Sequence, residues 1–195
     1  FIGAGAAAIG AGGVVGIALA HGLVLMAFAY TFGKISGTHI NPAVTFGVAL
    51  AGEMRWSKAL FYWVAQLLGG TLAAGALALV LRGTTDSLGA TVLAQGVTPL
   101  QGILLEAIMT FFLVESVLFG EIRGEAGNFA GLVIGSTLAF SIMMGGPLTG
   151  ASLNPARTFG PALFSGTLNQ IWIYLAGTLA GAAIAVGIDR LVETN

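Results

Sequence analysis

Two stretches of this chain are near copies of one another. "SGTHINPAVTFGVAL" at 36–50 and "TGASLNPARTFGPAL" at 149–163 share nine of fifteen residues at a constant offset of 113. Self-similarity at a fixed offset marks a duplicated unit, so a local structure argued for one copy holds for the other. Each copy contains Asn-Pro-Ala. Asn is among the best N-cap residues, and Pro is favoured at the first helical position because its missing N–H is not needed there. Helices are therefore predicted to start at Asn41-Pro42-Ala43 and at Asn154-Pro155-Ala156. Each apolar run that follows is about 10 residues, or ~15 Å at the helical rise.

The meaning of a 15 Å helix depends on its solvent, and here composition decides. The 195 residues are 56% hydrophobic and 8% charged, with a mean hydropathy of +0.95. A soluble domain carries about 25% charged residues. A core of this size cannot hide so much apolar surface, so the chain is expected to be an all-α, multi-pass integral membrane protein. Half of a ~30 Å hydrocarbon core is what each short helix would cross. A net charge of −1 offers no basic face for nucleic acid.

Runs long enough to span lie at 12–33, 59–81, 99–119, 128–147 and 170–192, separated by polar punctuation such as "AGEMRWSK" and "GEIRGEAG". The stretch 1–11 is too short to span and, joined to 12–33, too long for one helix. It reads as the tail of an earlier helix that is largely missing here, which predicts six spans in the whole protein. The repeat agrees: Glu106 lies 48 residues before Asn154, and 48 before Asn41 falls outside the chain. One domain, 1–195, is thus expected to comprise a truncated first repeat, 1–81, and a second, 99–192.

Three spans separate the two Asn-Pro-Ala sites, so the motifs sit on opposite sides of the bilayer and the repeat is inverted. Inverted repeats with broken helices build sites near the midplane. The polar loops "KISGTHI" and "GPLTGASL" before the motifs put irregular backbone at membrane depth, which is tolerated only where it is buried in protein or lines water. Two half-helices would then meet N-terminus to N-terminus, aiming positive dipole ends and two Asn amides at one spot. A water finds donors there, and a cation meets a barrier. With the loop after the first span cytoplasmic, Lys34, Arg55, Lys58, Arg123 and Arg190 all face the cytoplasm and only Arg82 lies in an outer loop, as the positive-inside rule favours.

These motifs, with "YWVAQLLGG", "EAIMTFFLV" and "IWIYLAGTLAGA", resemble the aquaporin, or major intrinsic protein, family. The resemblance implies six tilted helices plus two re-entrant half-helices, a passive channel in each protomer, and a homotetramer in the lipid bilayer. It also implies an outer filter at four positions, which by spacing from the motifs are His21, Ile142, Ala151 and Arg157. That set is similar to the vacuolar-membrane type of plants, so water and small neutral solutes such as ammonia, urea, glycerol or peroxide are the expected cargo. Where the glycerol branch has Asp and a basic residue, this chain has Thr158 and Ala162.

An arginine in the bilayer must face water or a partner, so Arg157 is expected in the passage. His21 lies at the matching depth, and His39, two before the first motif, is expected in the inner vestibule or packed beside it. The resemblance gives Glu106 the support of the second loop through that loop's free N–H groups. Glu115, nine residues on and so on the opposite helix face, is expected to snorkel towards the inner interface. With no cysteine, no triad and no ligand cluster in the sequence, no enzyme, metal or cofactor is expected. Other classes compatible with inverted repeats are an ion-coupled secondary transporter and a structural membrane protein with little flux.

Overall fold

The computed structural model describes residues 1–82 and 84–193, and every regular element among them is helical. Eight α-helices follow in order: α1 (Ile2–Ala8), α2 (Gly13–Ser36), α3 (Pro42–Ala51), α4 (Trp56–Val80), α5 (Pro99–Val117), α6 (Ala130–Thr149), α7 (Pro155–Ser165) and α8 (Ile171–Glu193). Five segments are long and apolar enough to cross a membrane: Gly13–Ser36, Trp56–Val80, Pro99–Ile122, Gly127–Thr149 and Leu168–Val192. α3 and α7 are the two half-length helices. α1 is separated from α2 by Gly10 and Gly12, and α2 opens on Gly13, all three in the left-handed region, where an L side chain is strained.

One boundary differs from the sequence reading. The span was expected to end at 119 and a polar loop to begin at Gly120, yet Leu118–Ile122 continues α5 as a π-turn with Leu118 and Gly120 buried. Burial of those two residues outweighs the polar signal of Glu121, which remains exposed. The start of α6 also departs from simple rules: Phe129 offers no side-chain cap, and the Tyr30 hydroxyl from α2 accepts from the Leu132 N–H at 3.1 Å instead.

Packing follows the repeat. α2 crosses α6, α5 lies along α8, and each half-helix leans on the last helix of the other repeat, α3 on α8 and α7 on α4. The crossings are close because glycines meet backbone. A Cβ on Gly160 would stand 2.3 Å from the Gly70 carbonyl oxygen, and one on Gly22 would stand 2.5 Å from that of Gly135. Small residues at such contacts let helices approach where lipid gives no hydrophobic drive for association. The buried cluster runs through Val44, Val48, Leu113, Val114, Leu153 and Val186, between the half-helices and α5 and α8. Outward faces carry Ile35, Phe61, Leu72 and Leu79, all at least three-quarters exposed or nearly so, as expected of surfaces that meet acyl chains.

Candidate functional site

The site grows from two loops that repeat each other's backbone. α2 ends at Gly37 (φ 70°) and α6 at Gly150 (φ 77°), both left-handed. The next residues, Thr38 (φ 49°) and Ala151 (φ 44°), are left-handed too although neither is glycine. Such strain persists only where the surroundings over-determine it, and here they do. The Tyr62 hydroxyl donates to the Ser36 carbonyl at 2.9 Å, and its repeat mate Tyr174 donates to the Thr149 carbonyl at 2.7 Å. Each tyrosine thus ties down the last helical carbonyl before its loop.

Beyond that the loops are held differently. In the first, Gln66 of α4 donates to the His39 carbonyl and to the Thr45 hydroxyl, while Trp63 Nε1 donates to the Pro42 carbonyl at 3.1 Å. In the second, the carboxylate of Glu106, fully buried on α5, accepts from the Thr149 hydroxyl at 2.7 Å, the Ser152 N–H at 2.9 Å and the Leu153 N–H at 2.8 Å. Three donors on one carboxylate offset its desolvation, which is otherwise prohibitive in such a place.

Both Asn residues cap their half-helices. Asn41 Oδ1 accepts from the Ala43 N–H at 2.9 Å, and Asn154 Oδ1 accepts from the Ala156 and Arg157 N–H groups at 3.0 and 3.2 Å. Their amides cross over: Asn41 Nδ2 donates to the Leu153 carbonyl at 2.7 Å, and Asn154 Nδ2 to the Ile40 carbonyl at 2.9 Å. Each Asn therefore binds the residue that precedes the other. Every amide nitrogen has two hydrogens, so one N–H on each remains for a guest.

A cavity of about 890 Å³ runs past this junction, bordered by His39, Asn41, Asn154, Ala156, His21 and Arg157. His21 is 8% exposed, and its ring fills the space above Gly3, where a Cβ would stand 2.3 Å from Cδ2. Its Nδ1 lies 2.9 Å from the Ile17 carbonyl, which can only accept. In a neutral ring the proton is then on Nδ1, and Nε2, buried and unpartnered, is a bare acceptor. Arg157 supplies the opposite character. Its Nη1 donates to the Gly89 carbonyl at 2.6 Å, and its Nε–H is buried without a protein partner. The two residues that border this part of the cavity thus carry a buried acceptor and a buried donor, neither bonded to the protein.

The other two spacing-derived filter residues sit elsewhere. Ile142 (2% exposed) and Ala151 (1%) belong to the buried cluster and do not border the cavity, whereas Leu138, one turn before Ile142, and Ser152, next to Ala151, do. His39 borders the large cavity and a second one of about 330 Å³ shared with Lys34, Glu53 and Lys58. Its ring packs edge-on to Tyr62 at 5.7 Å. Arg190 donates to the Leu50 carbonyl at the C-terminal end of α3 at 2.6 Å, and Arg123 Nε donates to Asp189 at 2.7 Å, so these cations gather at one end of the bundle. Glu115 is partly buried near Asp189 and Arg123, with one of its oxygens buried and without a partner.

Sequence reasoning passed over Tyr62, Gln66, Ser152 and Thr91, all of which hold the loops. The Tyr62/Tyr174 pair carried a usable signal, since the offset of 112 nearly equals that of the motifs. Nothing marked Gly89 or Thr91, which lie in an irregular loop. Among the described residues no group of three or more His, Cys, Asp or Glu side chains is placed to hold a metal ion.

Comparison with known proteins places this geometry. A family model described as "Major intrinsic protein" matches residues 2–188. The chain is 44% identical over 179 residues to nodulin-26 of Glycine max, covering 91% of this chain and 65% of that one. It is 43% identical to aquaporin TIP1-2 of Zea mays (92% and 71% covered) and 45% identical to the probable aquaporin TIP3-2 of Arabidopsis thaliana (89% and 66% covered). It thus spans about two thirds of the length of these relatives. Among solved structures, the aquaglyceroporin of Plasmodium falciparum superposes with a TM-score of 0.85 at 22% identity, covering 98% of this chain and 90% of that one, a likeness of fold.

Proposed function

The chain belongs to the major intrinsic protein family, and on that premise we propose that it is a passive transmembrane channel for water and small neutral solutes, with no enzymatic step. The observation that carries this reading is the reciprocal pair of Asn amides at the cavity, each capping a half-helix and bonding the other loop. It aims two helix N-termini at one point from opposite sides. Both ends are positive, so a neutral oxygen is bound while a cation or proton is repelled.

His21 and Arg157 form the outer filter, with an acceptor and a donor that suit water, ammonia and urea equally. Ile142 and Ala151 join them by their spacing from the second motif, behind the Leu138 and Ser152 surface. His39 belongs to the inner vestibule, and Glu106 holds the second loop's carbonyls towards the passage. The repeats 1–81 and 99–192 act as one domain, and four copies assemble as a homotetramer with one passage each. The chain is a multi-pass protein of a cell or vacuolar membrane.

The test is stopped-flow light scattering on proteoliposomes. Osmotic water flow should rise well above that of empty vesicles with a low activation energy, and an imposed pH gradient should persist through the measurement. A pH gradient that collapses at a rate comparable to water flow would sink the channel reading.

A further inference from the structure

The Arg157 guanidinium has one protein acceptor described for its Nη1, the Gly89 carbonyl, and Gly89 belongs to the irregular loop between α4 and α8's partner α5. What holds that loop in place is therefore decisive for the filter. Gly89 itself is left-handed (φ 69°) and presses on α1, where a Cβ would stand 2.1 Å from the Ala4 carbonyl oxygen. Two residues on, Thr91 is 2% exposed, and its hydroxyl lies 2.9 Å from that of Thr158. Thr158, the residue after Arg157, lies 2.5 Å from the Ser152 hydroxyl, which in turn donates to the Asn154 carbonyl at 3.0 Å and accepts from the Asn154 N–H at 3.1 Å. Thr91 also packs under Gly150, whose Cβ would meet it at 3.0 to 3.2 Å, and beside the Tyr174 hydroxyl.

We infer that Thr91 is a positioning residue for the filter: its buried hydroxyl fastens the outer loop to the half-helix that carries Arg157, so that the Gly89 carbonyl holds the guanidinium against the wall of the passage. The inference rests on the channel reading above. Both ends of the Arg157–Gly89 bond are then fixed to one hydroxyl network, Gly89 through Thr91 and Arg157 through Thr158. If that network is cut, the hydrogen bonds described between the loop and the rest of the fold are those from the Leu93 N–H to Gln170 and from the Ala94 N–H to the Leu148 carbonyl, both beyond Thr91. The guanidinium then loses its fixed acceptor. An unpartnered acceptor bordering the same cavity is His21 Nε2, so the released side chain swings into the passage and narrows it.

Thr91→Val keeps the shape and deletes the hydroxyl; Thr91→Ser keeps the hydroxyl. Each is reconstituted at the wild-type density, and water and urea permeabilities are measured on the same vesicles. Thr91→Val should lower the urea-to-water ratio by about fivefold, the rate factor that one neutral hydrogen bond supports, and Thr91→Ser should restore it. A purely structural role would lower both permeabilities together and leave the ratio alone, and that result overturns the inference. The second arm is hydrogen–deuterium exchange of residues 87–94, which needs no transport. Thr91→Val should speed exchange there, and Thr91→Ser should not. Unchanged exchange in Thr91→Val overturns the inference even if the ratio moves. A wild type without water flow would overturn the channel reading, while exchange still decides whether Thr91 anchors the loop.

Discussion

His21 shows how much chemistry a single backbone contact decides. The Ile17 carbonyl accepts from the Nδ1–H, and that leaves Nε2 as an acceptor at the cavity that Arg157 also borders. Solutes that both donate and accept can use the pair, and an apolar replacement removes half of it. Since Gly3 already touches the ring, the larger ring of His21→Phe has room only on the side of the passage. Urea and ammonia permeability should fall much more than water permeability, measured on the same vesicles; equal proportional losses would mean that His21 does not select. Glu106 acts on the loop rather than on the solute. Glu106→Gln replaces one acceptor oxygen by an amide that faces N–H donors, so at least one buried donor loses its partner. That should cost about 1–3 kcal/mol, seen as a lower melting temperature in detergent, with less water flow per molecule because the loop carbonyls turn away.

At the scale of elements, the half-helices are too short to be stable by themselves and depend on caps and neighbours. Asn41 and Asn154 supply both at once, capping with Oδ1 and bracing with Nδ2. The helix that each leans on is fitted by glycine. Gly160→Ala would drive a methyl into the Gly70 carbonyl of α4, and backbone cannot yield as a side-chain tip can. Overpacking of this kind costs about 1–3 kcal/mol. Gly187 on α8 has open space around it, so Gly187→Ala should be neutral or stabilising, by up to about 1 kcal/mol. Thermal melts of the two variants side by side check the contrast, and a Gly160→Ala protein as stable as Gly187→Ala would show that the α4–α7 crossing has slack.

At the scale of the molecule, neither repeat is complete in itself. α3 rests on α8, α7 rests on α4, and the Asn amides bond across the repeats. A chain cut in the loop between Leu81 and Thr98 should therefore give two halves that are unstable when expressed alone and co-purify when expressed together. Protease resistance of either half by itself would show that the repeats fold independently. The Arg190–Leu50 contact reinforces the same coupling at one end, where α8 reaches the end of α3, while the neighbouring Asp189 ties α8 to the α5 π-turn within the second repeat.

The spans, the half-helices and their caps were legible in the sequence because they depend on local rules. Twenty apolar residues need no partner to be recognised, and Asn-Pro starts a helix through its own φ and its own side chain. Duplication extended this legibility to topology, since an odd number of spans between two copies inverts them whatever the packing. Spacing also pointed to His21 and Arg157, which border one cavity. It did not distinguish Ile142 from Leu138, or Ala151 from Ser152, because the rotation of a helix and the course of a strained loop are set by what packs behind them. The same holds for the crossover of the Asn amides and for the Thr91 hydroxyl, which joins a distant loop to α7. Each of these rests on a contact between residues far apart in the chain, whose distances exist only once the helices have packed.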